Sequence, residues 1–202
     1  MIKLDRAVGI DLGTTNSEIA LVPPSERDIL IFQDRFGRKT IPSTVAWDPE
    51  KGAVVVGRAA RARRGKEPAP IESIKRSMGQ DKRVKLGQSE VDPAEVSAKI
   101  LGELTSVMRS FLQEKASDNV EMPVTRAVIT VPAYFDAPQI EATRRAGELA
   151  GLSVIGILQE PTAAAIYHSW KQKQRGVHFL VYDLGGGTFD VSILRCVGGE
   201  YQ

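Results

Sequence analysis

The chain has 202 residues, of which 42% are hydrophobic and 26% charged, with a formal net charge of +2; it is long enough for a real core and too weakly charged to argue for nucleic acid by charge alone. No stretch approaches the ~20 apolar residues of a membrane span, and the start, MIKLDRAVGID, lacks the uninterrupted apolar run of a secretory signal, so the cytoplasm is the expected compartment. One cysteine, Cys196, excludes an internal disulfide framework, and with two histidines it leaves too few ligands for a zinc site.

Residues 7–11 form an apolar run ending in Asp-Leu-Gly, and residues 17–22 return with loose alternation, so the pattern predicts a hairpin. Pro23-Pro24-Ser25 breaks it, and residues 28–33 supply a third strand closed by Asp34-Arg35-Phe36-Gly37. Short strands are expected at 44–47 and 53–56, around a turn-rich segment. Residues 57–65 read as a basic helix inside a Lys/Arg-rich stretch, 58–85. No aromatics interleave with those charges, so a solvated surface is the preferred reading over a nucleic-acid patch. Residues 79–88 read as polar loop.

Asp92-Pro93-Ala94-Glu95 is a helix start with a capping box and a proline at the first helical position. Val96, Ile100, Leu101, Leu104, Val107, Met108, Phe111 and Leu112 then fall on one face, which should turn to the core. Residues 126–132 form a continuous apolar strand. Asp136 caps a helix reaching Ala150, with Gly151 as its left-handed stop. Residues 152–158 are a second buried strand, 162–170 a helix, and 172–176 a polar linker. The chain ends with FLVYDLGGGTFDVSIL at 179–194, a hairpin echoing the first one. Strands with crossover helices predict a mixed α/β sheet covered on both faces.

The two hairpin turns carry the chemistry. Asp11-Leu12-Gly13-Thr14-Thr15-Asn16 and Asp183-Leu184-Gly185-Gly186-Gly187-Thr188 each combine an acid, glycines and hydroxyls. Glycine admits a close ligand, and successive backbone N–H groups cradle an anion. A carboxylate beside a phosphate repels it unless a cation intervenes, and Mg²⁺ is commonly held by one or two carboxylates with phosphate oxygens. Asp11 and Asp183, with Asp190 as a third candidate, could serve. No Walker-type loop and no Rossmann fingerprint is present, so any phosphate is bound by hairpins. Glu160, at the end of a strand and before Pro161, could orient a water for in-line attack, or simply cap a helix. Lys75 could place positive charge on a transferring phosphoryl group, or be an ordinary surface lysine. His168 and His178 have no partners that suggest a triad.

GIDLGTTNS at 9–17, IKRSMG at 74–79, VITVPAYF at 128–135, AGELAGL at 146–152, EPTAAA at 160–165 and VYDLGGGTFDVSIL at 181–194 resemble, in order and from end to end, the ATPase domain of the seventy-kilodalton heat-shock chaperones of the DnaK type. The resemblance implies an actin-like, ribonuclease-H-like α/β ATPase fold with two lobes around an ATP cleft. Residues 1–176 would be the first lobe, with a shortened outer subdomain at 38–92, and residues 177–202 the opening β-hairpin of the second. It implies that Gly13, Thr14, Thr15 and Asn16 line one phosphate loop and Gly185, Gly186, Gly187 and Thr188 the other. Asp11 and Asp183 would hold the Mg²⁺ shell, with Asp190 near the attacking water or a K⁺ ion. Lys75 and Glu160 would act on the γ-phosphate and the water. Pro132 would relay nucleotide state to a peptide-binding domain. The implied partners are ATP or ADP, unfolded client peptides, a J-domain co-chaperone and a nucleotide-exchange factor.

The chain departs from the pattern in three places. The segment 79–93 is short, Ile140 stands where the family carries a basic residue used in interdomain signalling, and a glycine usual near Ser169 is absent. The adenine-binding half of the cleft would lie beyond Gln202, so residues 1–202 alone are expected to bind ATP weakly or not at all and to be inactive, with the final turn a displaced or mobile half-site. Two other classes compete: a sugar or acetate kinase, which shares the DLGT-type turns, and a non-enzymatic actin-like filament subunit or nucleotide-sensing module.

Overall fold

Apolar runs on either side of the first Asp-Leu-Gly fold into antiparallel strands β1 (Val8–Asp11) and β2 (Asn16–Leu21), with Gly9 opposite Ala20 and Asp11 opposite Glu18. The computed structural model describes residues 7–23, 28–115, 125–172, 178–186, 189–197 and 200–201. Pro24, Ser25, most of the expected 172–176 linker, Gly187 and Thr188 lie outside the described residues.

The third strand, β3 (Leu30–Ile31), is shorter than expected, although the Phe32 amide still donates to Ile19 O at 3.0 Å. Strand β4 (Ile41–Pro42) pairs with the start of β2. A small outer sheet follows, with β5 (Thr44–Asp48) between β6 (Ala53–Val56) and β7 (Ile71–Glu72). Between β6 and β7 only Arg58–Arg61 is helical (α1); the rest of the expected 57–65 helix is a series of turns. A 3₁₀ turn, Ile74–Ser77, leads into the segment read as loop. That segment in fact holds a two-stranded hairpin, β8 (Val84–Leu86) and β9 (Ser89–Val91). Three-residue strands give no readable period. The hairpin is fixed by tertiary packing: a Cβ on Gly87 would lie 2.7 Å from the Trp47 ring.

Helix α2 (Pro93–Lys115) begins as its sequence dictates. Asp92 Oδ1 accepts from the Glu95 amide at 2.9 Å, and Glu95 Oε2 accepts from the Asp92 amide at 2.7 Å. Its apolar stripe is buried at Val96, Ile100, Leu101, Leu104 and Met108, and Phe111 meets Phe32 edge-on. Strand β10 (Arg126–Val131) runs parallel to β1, and β11 (Ser153–Gln159) parallel to β10. Between them α3 (Ala137–Leu149) starts at an Asp136–Gln139 capping box and is followed by Gly151 at φ 77°. The main sheet therefore runs β11-β10-β1-β2-β3, with β4 alongside β2.

Its buried face carries Val8, Ile10, Ile19, Ala127, Ile129 and Val131, which form one core with α2 and α3. The expectation that both faces are covered is met only in part among the described residues: α4 packs against β10 and β11, and the sheet is open elsewhere. Around Gly9 and Ala20 the opposite face forms an open depression, and a Cβ on Gly9 would meet nothing within 4 Å. Strand β11 is also less buried than expected, with Ile155 52% exposed, because it lies at the sheet edge and pairs only with β10.

Helix α4 (Glu160–Gln172) follows β11 without a loop. The last elements are β12 (His178–Leu184), β13 (Phe189–Val197) and β14 (Glu200–Tyr201), a sheet of their own. Aromatic contacts seat it on α4: Phe179 lies edge-on to His168 and tilted to Tyr201, whose hydroxyl donates to Ser169 Oγ at 3.0 Å. His168 is thus structural, as its lack of catalytic partners suggests.

Candidate active site

The first glycine turn is built by hydrogen bonds from outside itself. Ser43 Oγ donates to Gly13 O at 2.7 Å, and the Ser43 amide donates to Thr15 O at 2.9 Å. The Ser17 hydroxyl sits 2.8 Å from the Ser43 hydroxyl in the interior. Arg61 reaches in from α1, with Nη2 donating to Thr15 O at 2.8 Å and to Asn16 Oδ1 at 3.3 Å. A side chain at position 13 is impossible without rearrangement, since its Cβ would lie 2.1 Å from Asn16 O. Asp11 is aimed by Thr130, whose Oγ1 donates to Asp11 Oδ1 at 3.0 Å.

Lys75 and Glu160 are brought together from positions 85 residues apart. Lys75 Nζ donates to Glu160 Oε1 at 2.5 Å. The lysine is 95% buried, which overturns its reading as a surface residue. It is delivered by the 3₁₀ turn after Ser73, whose φ of 55° makes it the one left-handed non-glycine residue among those described. Backbone held in a sparsely populated region is a cost of order 1 kcal/mol or more that packing must offset. The Phe135 ring lies 5.9 Å from Nζ. Burial raises the Glu160 carboxyl above the usual glutamate range; Lys75 opposes this, and Asp11 and Asp183 add to it.

A cleft of about 630 Å³ joins these groups. It is lined by Asp11, Gly13, Thr14, Thr15 and Asn16, by Lys75, Pro132 and Glu160, and by Asp183, Gly185 and Gly186. The second turn was expected to be a displaced or mobile half-site; its described part is not displaced, since Gly186 lies against Thr15 of the first turn. A Cβ on Gly186 would come within 2.6 Å of Thr15 Oγ1, so the two turns need glycine where they approach. Asp190 stands directly opposite Asp183 across β12 and β13 but lines a smaller adjoining cavity of about 140 Å³, with Tyr134, Glu160 and Pro132. Burial, Asp190 and then Glu160 push the Tyr134 hydroxyl up. Gly187 and Thr188 lie outside the described residues.

The oxygen donors suit Mg²⁺ better than a softer metal. Among the described residues no group of three or more His, Cys, Asp or Glu side chains could cage an ion. Sequence reasoning missed Glu18, Thr40 and Thr130, which also line the cleft. Glu18 could have been found by pairing the two hairpins: each turn aspartate faces a second acid across its strands, Asp11 opposite Glu18 and Asp183 opposite Asp190. Burial and then Asp11 raise the Glu18 carboxyl, against a weaker pull from Lys39. The basic outer stretch is not simply solvated, since Arg63 is buried on Asp48 at 3.2 Å and Arg64 forks onto Glu72.

No helix among the described residues is long and apolar enough to cross a membrane. The family model for Hsp70 protein matches residues 7–202. The chaperone protein DnaK of Mesomycoplasma hyopneumoniae (strain 232) is 45% identical over 187 residues, covering 93% of this chain and 29% of that protein. The DnaK proteins of Mycoplasmopsis pulmonis and Mycoplasmoides gallisepticum are 44% and 41% identical, each over 96% of this chain and 31% and 32% of their own length. The chain thus spans about a third or less of the curated relatives it matches. With two glycine turns closing on one cleft and a family match over nearly every residue, the chain belongs to the Hsp70 protein family.

Proposed function

We propose that the cleft binds Mg²⁺·ATP and that the protein carrying this chain is a DnaK-like chaperone whose ATP hydrolysis sets its hold on unfolded peptides. The observation that carries the reading is the Lys75–Glu160 pair, buried where the two glycine turns meet. Gly13, Thr14, Thr15 and Asn16 form one phosphate loop; Gly185 and Gly186, continued by Gly187 and Thr188, form the other. Asp11 and Asp183 would hold Mg²⁺, which supplies charge neutralisation between these carboxylates and the phosphates.

Lys75 has three donors and spends one on Glu160, leaving the others for oxygens of the γ-phosphate. Glu160 accepts from the attacking water and holds it in line. Asp190, in the adjoining cavity, holds the far side of that water or a K⁺ ion. Pro132 borders both cavities and relays nucleotide state towards a peptide-binding domain. The architecture is actin-like, with residues 1–176 as the first lobe, 38–92 as its outer subdomain, and 177–202 opening the second lobe. The site of action is the cytoplasm, with client peptides, a J-domain co-chaperone and a nucleotide-exchange factor as partners.

Phosphate release from ATP by the complete protein tests this. The reading expects Mg²⁺-dependent release with water as the only acceptor, stimulated by an unfolded peptide. ADP formed only when a sugar or acetate is added would replace it with the kinase reading.

A further inference from the structure

The arginines of the outer subdomain do more than solvate a surface. Arg61 closes α1, and its guanidinium holds Thr15 O at 2.8 Å and Asn16 Oδ1 at 3.3 Å. Its Nε is buried without a partner, so the group is committed to the loop at some cost in solvation. Arg64 follows in the next turn, its amide bonded to Arg61 O at 3.1 Å. Its side chain forks onto Glu72, with Nη2 at 2.7 Å from Oε1 and Nε at 3.1 Å from Oε2. Thr44 Oγ1 donates to the same carboxylate at 3.3 Å. Glu72 is followed by the left-handed Ser73, and then by the turn that delivers Lys75.

One short segment therefore grips both sides of the phosphate site. We propose that α1 and the turn after it act as a brace: Arg61 positions the first phosphate loop, and Arg64, through Glu72, positions the segment carrying Lys75. The span between Thr15 and Lys75 is then set from the outer subdomain. Arg61 and Arg64 are positioning residues; neither lines the cleft. The proposal rests on the nucleotide reading for its consequence, but its structural part can be read without nucleotide.

Two measurements separate them. Amide hydrogen exchange at Asn16 and Ser17 in the 202-residue chain reads the brace directly. Mg²⁺·ADP affinity of the complete protein, by displacement of a fluorescent ADP, reads its consequence. Arg61→Met should speed exchange at Asn16 and Ser17 by about tenfold and weaken ADP binding by about tenfold, the loss of one charged hydrogen bond. Its melting temperature should fall by only about 3–6 °C, as for loss of one local tie of that size in a chain of this length. Arg61→Lys, which keeps the charge and an N–H donor group but not the guanidinium fork, should recover part of both effects. Arg64→Met should leave exchange at Asn16 unchanged and speed it at Ser73–Lys75 instead. Arg58→Met, exposed on the same helix, is the control and should change neither. Unchanged exchange at Asn16 and Ser17 in Arg61→Met overturns the brace, and so does an equal loss of affinity in Arg58→Met. If the parent protein binds no ADP while exchange responds as stated, the nucleotide reading fails and the brace stands.

Discussion

Lys75 and Glu160 illustrate how much a single contact depends on its surroundings. Each alone has a plain explanation, as a lysine in a basic stretch and an acid at a helix start. Together they form an ion pair at 2.5 Å with side chains only 7% and 19% exposed. Removing one partner of such a pair leaves a charge with poor solvation, which costs about 3 kcal/mol or more. Lys75→Met should therefore destabilise the fold more than the double variant Lys75→Met/Glu160→Gln, a comparison that denaturant unfolding can make. The pH dependence follows from burial, which raises Glu160 above its unfolded value. A carboxylate raised in the fold costs stability while ionised, so the Glu160 contribution improves as pH falls through the raised value. In the proposed mechanism hydrolysis should fall over the same window, because a protonated Glu160 would no longer accept from the attacking water. A pH–rate profile whose acid limb lies above the ordinary glutamate range, and vanishes in Glu160→Gln, is the expected result.

At the scale of elements, what was legible in the sequence had a period or a cap. The start of helix α2 could be placed to the residue because Asp92 and Glu95 cap it, and its face could be read because the apolar stripe repeats every three to four positions. What was not legible is fixed by distant partners. Strands β8 and β9 exist because Gly87 packs under Trp47, and α1 stops at Arg61 because Arg61 and the following Arg63 and Arg64 turn to Thr15, Asp48 and Glu72. The site shows the same division. The glycine turns and their aspartates were readable, whereas Ser43, Arg61 and Thr130, which set their geometry, lie 30, 46 and 119 residues from the groups they hold.

Two substitutions test this level. Asp92→Ala removes the α2 cap and its bond to Arg145 Nη1 at 2.6 Å, and should cost about 1–2 kcal/mol at neutral pH. Burial pushes Asp92 up, but Arg145 and the Glu95 amide outweigh it and hold the carboxyl below its usual range. Its contribution is thus present above the unfolded value and lost as pH falls through the lower folded one. The gap between parent and Asp92→Ala should narrow in that acid window. Gly147→Ala places a Cβ 2.4 Å from Val154 Cγ2 and 3.0 Å from Ile129 Cδ1, between α3 and the sheet. Thermal unfolding should report a loss of about 1–3 kcal/mol.

The whole molecule is two hairpins facing across one cleft, each presenting an acid-flanked glycine turn. The first is embedded in a six-stranded sheet; the second stands in a separate three-stranded sheet on α4. Its outer face carries Leu180, Tyr182, Leu184, Phe189, Val191 and Ile193, all exposed. Contiguous apolar surface of this kind associates in water. Ile193→Lys, at a site 78% exposed, should raise the concentration at which the 202-residue chain sediments as a monomer and leave its melting temperature unchanged. The most direct test of the proposed chemistry is single-turnover hydrolysis of ATP by the complete protein and its Lys75→Ala variant, with nucleotide affinity measured alongside. The account predicts a rate at least about a hundredfold lower in the variant, with affinity changed only a few-fold. A variant rate within a few-fold of the parent would contradict it.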